Sequence, residues 1–233
     1  MKNNSFGEKV INFNKSLKFN LDLPFQYKVL NPFTDNPETI QVMKQFYNRF
    51  YADNKKRKFL IGINPSRHGA GITGVPFTDT KRLEKVCGIQ MLSAYSHEVS
   101  SVFVYDFIAA YGGPFRFYND FYINSPFPLA IVQYKNGKWV NANYYDNNIL
   151  FEKLKPYMIA SLKQHISFGL HTEIVYSLGK KNAAYLQKLN QSEKLFGKII
   201  ALEHPRYIQQ YKSKEKQLYI DKYVQILADA QFI

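Results

Sequence analysis

Strands and helices alternate along these 233 residues, and that alternation predicts an α/β fold. The expected architecture is a three-layer α/β/α sandwich with a central four-stranded, mostly parallel sheet. Four short apolar runs, at residues 58–63, 121–124, 173–178 and 198–202, have the length of buried strands, with helical segments between them. Each run stops at small or polar residues: Asn64-Pro65, Asn124-Ser125-Pro126, Gly179-Lys180 and Glu203-His204-Pro205. Parallel strands present their carboxyl ends on one rim, where open α/β sheets build ligand sites.

Residues 8–18 and 36–51 read as helices ahead of the first strand. In the second, Ile40, Met43, Phe46, Tyr47 and Phe50 recur at helical spacing, and Asn36-Pro37 supplies a cap and a first position. Residues 1–57 are therefore expected to be a helical extension packed on a single domain that spans 1–233. After the first strand, Thr78-Asp79-Thr80 has the chemistry to start a helix over 78–86. A helix over 100–111 should end at Gly112-Gly113. The helical stretch 146–168 is expected to break near Pro156. Helices over 179–189 and 213–230 follow the third and fourth strands. No repeat, low-complexity tract or Pro/Gly/Ser-rich linker divides the chain.

Composition narrows the function. An apolar share of 45% supports a real core, yet no stretch is long and apolar enough to span a membrane. Met1-Lys2-Asn3-Asn4-Ser5 lacks the apolar centre of a signal peptide. The single cysteine, Cys87, excludes an internal disulfide framework and a Cys-ligated zinc or iron–sulfur centre. The expectation is a cytoplasmic monomer, nucleoid-associated in a bacterium, with no metal, no cofactor and no membrane contact. Lys and Arg outnumber Asp and Glu by 31 to 18, a net charge of +13, which points to a polyanionic partner, nucleic acid first. Lys55-Lys56-Arg57-Lys58 flanks the first strand, so this basic cluster is expected near the site.

The densest chemistry lies in the loop from Gly62 to Phe77, which carries Asn64-Pro65 at one end and Gly74-Val75-Pro76-Phe77 at the other. Glycines let backbone approach a ligand, and the two prolines stiffen the path and remove donors. The Asn64 amide and the Phe77 ring can hydrogen-bond and stack a planar heterocycle. An ordinary strand-to-helix connection would use the same turn residues, and His204 alone could simply be satisfied at a strand end. Convergence of Asn64, Asn124 and His204 on one rim, with Phe77 nearby, instead makes a site for a neutral, flat, hydrogen-bonding ligand such as a pyrimidine. No Ser-His-Asp order is apparent. The phosphate-loop Gly-x-x-x-x-Gly-Lys-Ser/Thr is absent, as is a Gly-x-Gly-x-x-Gly turn after the first strand.

Three segments carry a family resemblance. They are Gly62-Ile63-Asn64-Pro65-Ser66 through Thr73-Gly74-Val75-Pro76-Phe77-Thr78, then Phe121-Tyr122-Ile123-Asn124-Ser125-Pro126-Phe127-Pro128-Leu129, then His204-Pro205-Arg206. From about residue 58 onward the chain resembles the single-strand-selective monofunctional uracil-DNA glycosylases of the wider uracil-DNA glycosylase superfamily. The resemblance implies base-excision repair: hydrolysis of the N-glycosidic bond of a flipped uracil, or 5-substituted uracil, to leave an abasic site in DNA. By that resemblance Asn64 positions the attacking water and His204 stabilises the charge on departing uracil. Phe77 stacks on the base and Asn124 reads its amide-like edge. Gly62, Pro65, Ser66 and Ala70 frame the pocket, the last two along the edge bearing the 5-substituent. Arg67, Lys180, Arg206, Tyr207 and Gln209 are assigned to DNA.

This chain departs from the family pattern in four places. Ser66 replaces a glycine, His68 and Ala70 also differ, and the Arg206-Tyr207-Ile208-Gln209-Gln210-Tyr211 segment replaces a Ser-Pro-Arg-Asn pattern. The preferred base, whether uracil, hydroxymethyluracil or a deaminated purine, is left open. The rival readings are a non-catalytic single-stranded nucleic-acid-binding module and another nucleotide enzyme on the same open sheet.

Overall fold

In the computed structural model, which describes residues 4–229, the four apolar runs form one sheet. The elements in order are α1 (Phe6–Ser16), β1 (Tyr27–Leu30), α2 (Pro32–Asp35), α3 (Pro37–Phe50), β2 (Arg57–Ile61) and α4 (Ala70–Thr73). There follow α5 (Thr80–Lys85), α6 (Val99–Ala110), α7 (Pro114–Asp120), β3 (Phe121–Asn124), β4 (Ala130–Lys135) and β5 (Lys138–Ala142). The last are α8 (Asn148–Ser167), β6 (Leu170–Leu178), α9 (Lys180–Glu193), β7 (Lys198–Leu202), α10 (Pro205–Tyr211) and α11 (Lys216–Asp229).

The main sheet has the order β3-β2-β6-β7, and every pair is parallel. The strands stop in register: Ile61 lies opposite both Asn124 and Ser177, and Leu178 lies opposite Leu202. The loops that follow β2, β3 and β7 therefore open onto the same rim. Helices cover the sheet, giving the three-layer α/β fold. The central strands are buried on both faces, which is why they read as unbroken apolar runs rather than alternating ones.

Local chemistry sets several boundaries. The Asn36 side chain accepts from Glu38 N–H, and Pro37 opens α3, whose Met43, Phe46, Tyr47 and Phe50 are buried. Asp79 caps α5 by accepting from Arg82 N–H at 2.9 Å. Gly112 and Gly113, with φ of 116° and 90°, end α6 where most side chains would be strained.

The expected break at Pro156 does not occur, because α8 runs unbroken for 20 residues. Proline inside a helix costs about 3 kcal/mol. Burial of Leu150, Phe151, Leu154, Met158 and Leu162 along the helix outweighs that penalty. The helix expected over 213–230 is a 3₁₀ turn at Ser213–Glu215 followed by α11, and Ala230 lies outside the described residues.

The first 57 residues are not purely helical. β1 pairs antiparallel with β4, and β4 pairs antiparallel with β5, making a second sheet of order β1-β4-β5. Its hairpin turns on Asn136-Gly137, both at positive φ (49° and 77°). That dipeptide between apolar runs is a strong hairpin signal.

The basic cluster at residues 55–58 does not surround the rim. It sits at the amino end of β2, about 16 Å from the loop after a five-residue strand. Arg57 is fully buried there. It donates to Tyr118 O and Lys55 O, pairs with Asp53 at 3.0 Å, and lies 4.8 Å from the ring centres of Phe6 and Tyr51.

Candidate active site

β2 delivers its loop to the rim, where Gly62 N–H donates to Asn124 O at 2.7 Å and ties the first and second motifs together. Gly62 has to be glycine for steric reasons. A Cβ there would lie 2.9 Å from Cε2 of Phe77, so only a bare backbone lets the ring settle over it. Phe77 itself adopts φ of 53°, uncommon for a non-glycine residue. Buried Thr73 holds the turn by donating to Thr78 O at 2.6 Å, and Thr78 Oγ1 donates to Pro76 O at 3.0 Å.

The Asn64 side chain is pinned from the second sheet. Its Nδ2 donates to Ala142 O at 3.0 Å, and its Oδ1 accepts from Tyr144 N–H at 3.1 Å. An amide oxygen has two lone pairs, so one remains for a water. Behind it, buried Asn182 donates to Ile61 O at 2.9 Å and Gly62 O at 3.2 Å, and accepts from Tyr144 Oη at 2.6 Å. Asn182, Tyr144 and the β5 end escaped sequence reasoning, because each belongs to a different element and to no motif.

Asn124 is 4% exposed. Its Oδ1 accepts from Ser125 N–H at 2.8 Å and its Nδ2 donates to Tyr122 Oη at 2.7 Å. One N–H and one lone pair stay free, the complement of an imide edge.

His204 caps α10: its Nδ1 accepts from Arg206 N–H at 3.1 Å. Burial, aided by the Arg206 charge, pushes its pKa down to about 4. The ring is therefore neutral near pH 7, with its proton on Nε2, and its centre lies 6.3 Å from that of Phe77.

Two connected cavities meet at this rim. The inner one is lined by Gly62, Asn64, Pro65, Ser66, Ala70, Phe77 and Asn124. The outer cleft, of about 330 Å³, is lined by Asn64, Pro65, Ser66, Phe77, His204, Arg206 and Tyr207 among others. Asn64 and Phe77 border both, Asn124 only the inner pocket and His204 only the outer cleft. A larger groove of about 770 Å³ between α1 and α8 holds none of these residues.

Of the residues expected on DNA, Arg206 and Tyr207 line the cleft. Tyr211 joins them, its ring 5.8 Å from that of Tyr207. Gln209 turns inward with its Oε1 buried and unpartnered, and Gln210 faces the cleft in its place. Arg67 is held against the hairpin by its N–H to Asn141 Oδ1. Lys180 is exposed at the start of α9, outside both cavities.

Glu98 is the acid that sequence reasoning missed, because it lies 32 residues beyond Ser66 in no recognisable motif. Its carboxylate borders both cavities and accepts from Ser66 Oγ at 2.9 Å. Burial raises its pKa, opposed by hydrogen bonds from Ser66 and Ser100. Gly69 leaves the space it occupies, since a Cβ there would overlap the carboxyl oxygen. Cys87 is buried and lines neither cavity, and burial pushes its thiol up to about 11, so it is no nucleophile. Among the described residues, no group of His, Cys, Asp and Glu is placed to hold a metal ion, and no helix is long and apolar enough to cross a membrane.

A family model described as the uracil DNA glycosylase superfamily matches residues 49–228. The structure is similar to the crystal structure of wild-type Pedobacter heparinus SMUG2, with a TM-score of 0.93 and 43% identity over 97% of each chain. No curated protein matches the chain. The family match covers all three motif segments and every strand that feeds the rim, and on that ground the chain belongs to the uracil DNA glycosylase superfamily.

Proposed function

We propose that the protein is a uracil-DNA glycosylase of base-excision repair, which hydrolyses the N-glycosidic bond of a flipped uracil and leaves an abasic site. One observation carries the residue assignments: Asn64 and Phe77 border both a pocket containing Asn124 and a cleft containing His204. Uracil must leave the base stack, at a cost of a few kcal/mol. Stacking on Phe77 returns roughly 1–3 kcal/mol. The free N–H and lone pair of Asn124 match the carbonyl and imide N–H of uracil.

As the bond between N1 and C1′ breaks, the sugar gains oxocarbenium character and the base leaves as an anion. The Nε2–H of neutral His204 donates to that anion. Asn64 cannot take a proton; its spare lone pair orients the water that adds to C1′, and the proton that water loses ends on the departed uracil anion. Among the described residues no lysine lines either cavity, so no Schiff base is expected and the enzyme is monofunctional. Arg206 and Tyr207 hold the strand at the cleft, with Arg67 and Lys180 contributing long-range attraction to phosphates. We place its action in the cytoplasm, on DNA, as a monomer.

The test is incubation with labelled uracil-containing oligonucleotide, single- and double-stranded, followed by alkali cleavage. Release of uracil, undiminished by a chelator, is the expected result. Binding without release would favour the non-catalytic module.

A further inference from the structure

We propose that Tyr122, oriented by His165, is the positioning residue that makes the pocket discriminate uracil from cytosine, by locking the Asn124 amide in one orientation. This rests on the uracil-excising reading above. A backbone N–H can only donate, so the atom of Asn124 that meets Ser125 N–H at 2.8 Å is its oxygen. The nitrogen then faces Tyr122 Oη at 2.7 Å.

A tyrosine hydroxyl alone would not choose between the two orientations, because it can accept from an amide nitrogen or donate to an amide oxygen. His165 removes that freedom. Its Nδ1 lies 3.2 Å from the same hydroxyl, and the proposed tautomer, protonated on Nε2, accepts the hydroxyl's hydrogen bond there, which commits the tyrosine oxygen to accept from Asn124. The ring comes from α8, is wholly buried and packs against Phe13, with ring centres 4.7 Å apart. Burial, partly opposed by a backbone hydrogen bond at Ser125, drives its pKa down to about 3 and keeps it neutral. The proton then sits on Nε2, which has no partner at full hydrogen-bond geometry.

The consequence lies in what Asn124 still offers. Its remaining lone pair accepts an imide N–H, and its remaining N–H donates to a neighbouring carbonyl. Cytosine presents the reverse, a bare ring nitrogen beside an exocyclic amine. A rotated amide would suit cytosine, and DNA contains far more cytosine than uracil. Rotation would set Ser125 N–H against an NH₂ group and, while His165 holds the hydroxyl proton, oppose two oxygens at Tyr122. Unpaired buried polar groups discriminate strongly between analogues.

Tyr122→Phe removes only the hydroxyl and keeps the ring stacked on Phe59, with centres 5.6 Å apart. Single-turnover excision is measured on identical oligonucleotides bearing uracil or cytosine, with melting and affinity for undamaged DNA as controls. Uracil excision should fall, and the cytosine-to-uracil rate ratio should rise by roughly tenfold or more. An unchanged ratio overturns the proposal, whether or not the uracil rate falls. Wild type that releases no uracil would instead overturn the reading of function. If the variant does not fold, ¹⁵N NMR of the wild-type His165 ring decides. A proton on Nε2 is expected, and a proton on Nδ1 overturns the proposal.

Discussion

The backbone N–H of Arg206 donates to Nδ1 of His204, and that one bond decides which ring nitrogen is left to donate. It leaves Nε2–H as the only donor on a ring that burial keeps neutral. The same bond makes His204 the cap of α10, so one side chain serves the helix and, in the proposed function, the chemistry.

His204→Ala should lower excision by about 10²–10³, the usual effect of losing one donor to developing negative charge. DNA affinity should change little, because it comes mainly from phosphate contacts. Loss of the cap costs about 1 kcal/mol, which thermal melting would register separately. A folded variant that cleaves at the wild-type rate would remove His204 from its role.

The two neutral histidines make stability depend on pH. Folding depresses their pKa values from 6.5 to about 3 for His165 and about 4 for His204. Between about pH 4 and 6.5 the unfolded chain therefore binds more protons, and stability rises with pH through that window. Acidification from pH 7 to pH 4 should remove on the order of a few kcal/mol in urea unfolding. His204→Asn, which keeps a capping side chain, should flatten part of that slope. Excision should not decline as pH rises through 6.5, since His204 is already deprotonated there.

Asn124→Asp should weaken uracil excision, because an ionised carboxylate cannot donate to a carbonyl. Relative activity on cytosine, whose exocyclic amine donates, should rise. Full retention of uracil activity would show that Asn124 does not read the base.

Gly62→Ala places a methyl against the Phe77 ring, at 2.9 Å from Cε2. The ring must swing aside, because the neighbouring backbone is anchored through Gly62 N–H to Asn124 O. Excision should fall by at least about tenfold, the scale on which a misplaced contact acts. Melting should move little, since Phe77 lies at the edge of the core.

Arg206→Ala should weaken DNA binding and reduce the magnitude of its salt slope by about one. Lys58→Ala, at the amino end of β2 with its Nζ over the Phe121 ring, should leave that slope unchanged. Fluorescence anisotropy across a salt series separates the two.

The parallel sheet was legible because strands buried on both faces leave unbroken apolar runs between helices. Their polar ends at Asn64, Asn124 and His204 were legible for the same reason: parallel strands share one rim. The caps at Asn36 and Asp79 were local and could be read directly. The rest depended on contacts between distant segments. Glu98 reaches Ser66, Ala142 and Tyr144 hold Asn64, and His165 orients Tyr122 only once β5, α6 and α8 have packed. Arg57 looked like surface charge until packing enclosed it between aromatic rings. Strand and cap signals lie within a few neighbouring residues, so the sequence by itself determined the fold class and the residue types at the rim. Hydrogen-bond direction, protonation and side-chain orientation depend on which remote groups are buried together, and only the tertiary structure decided those.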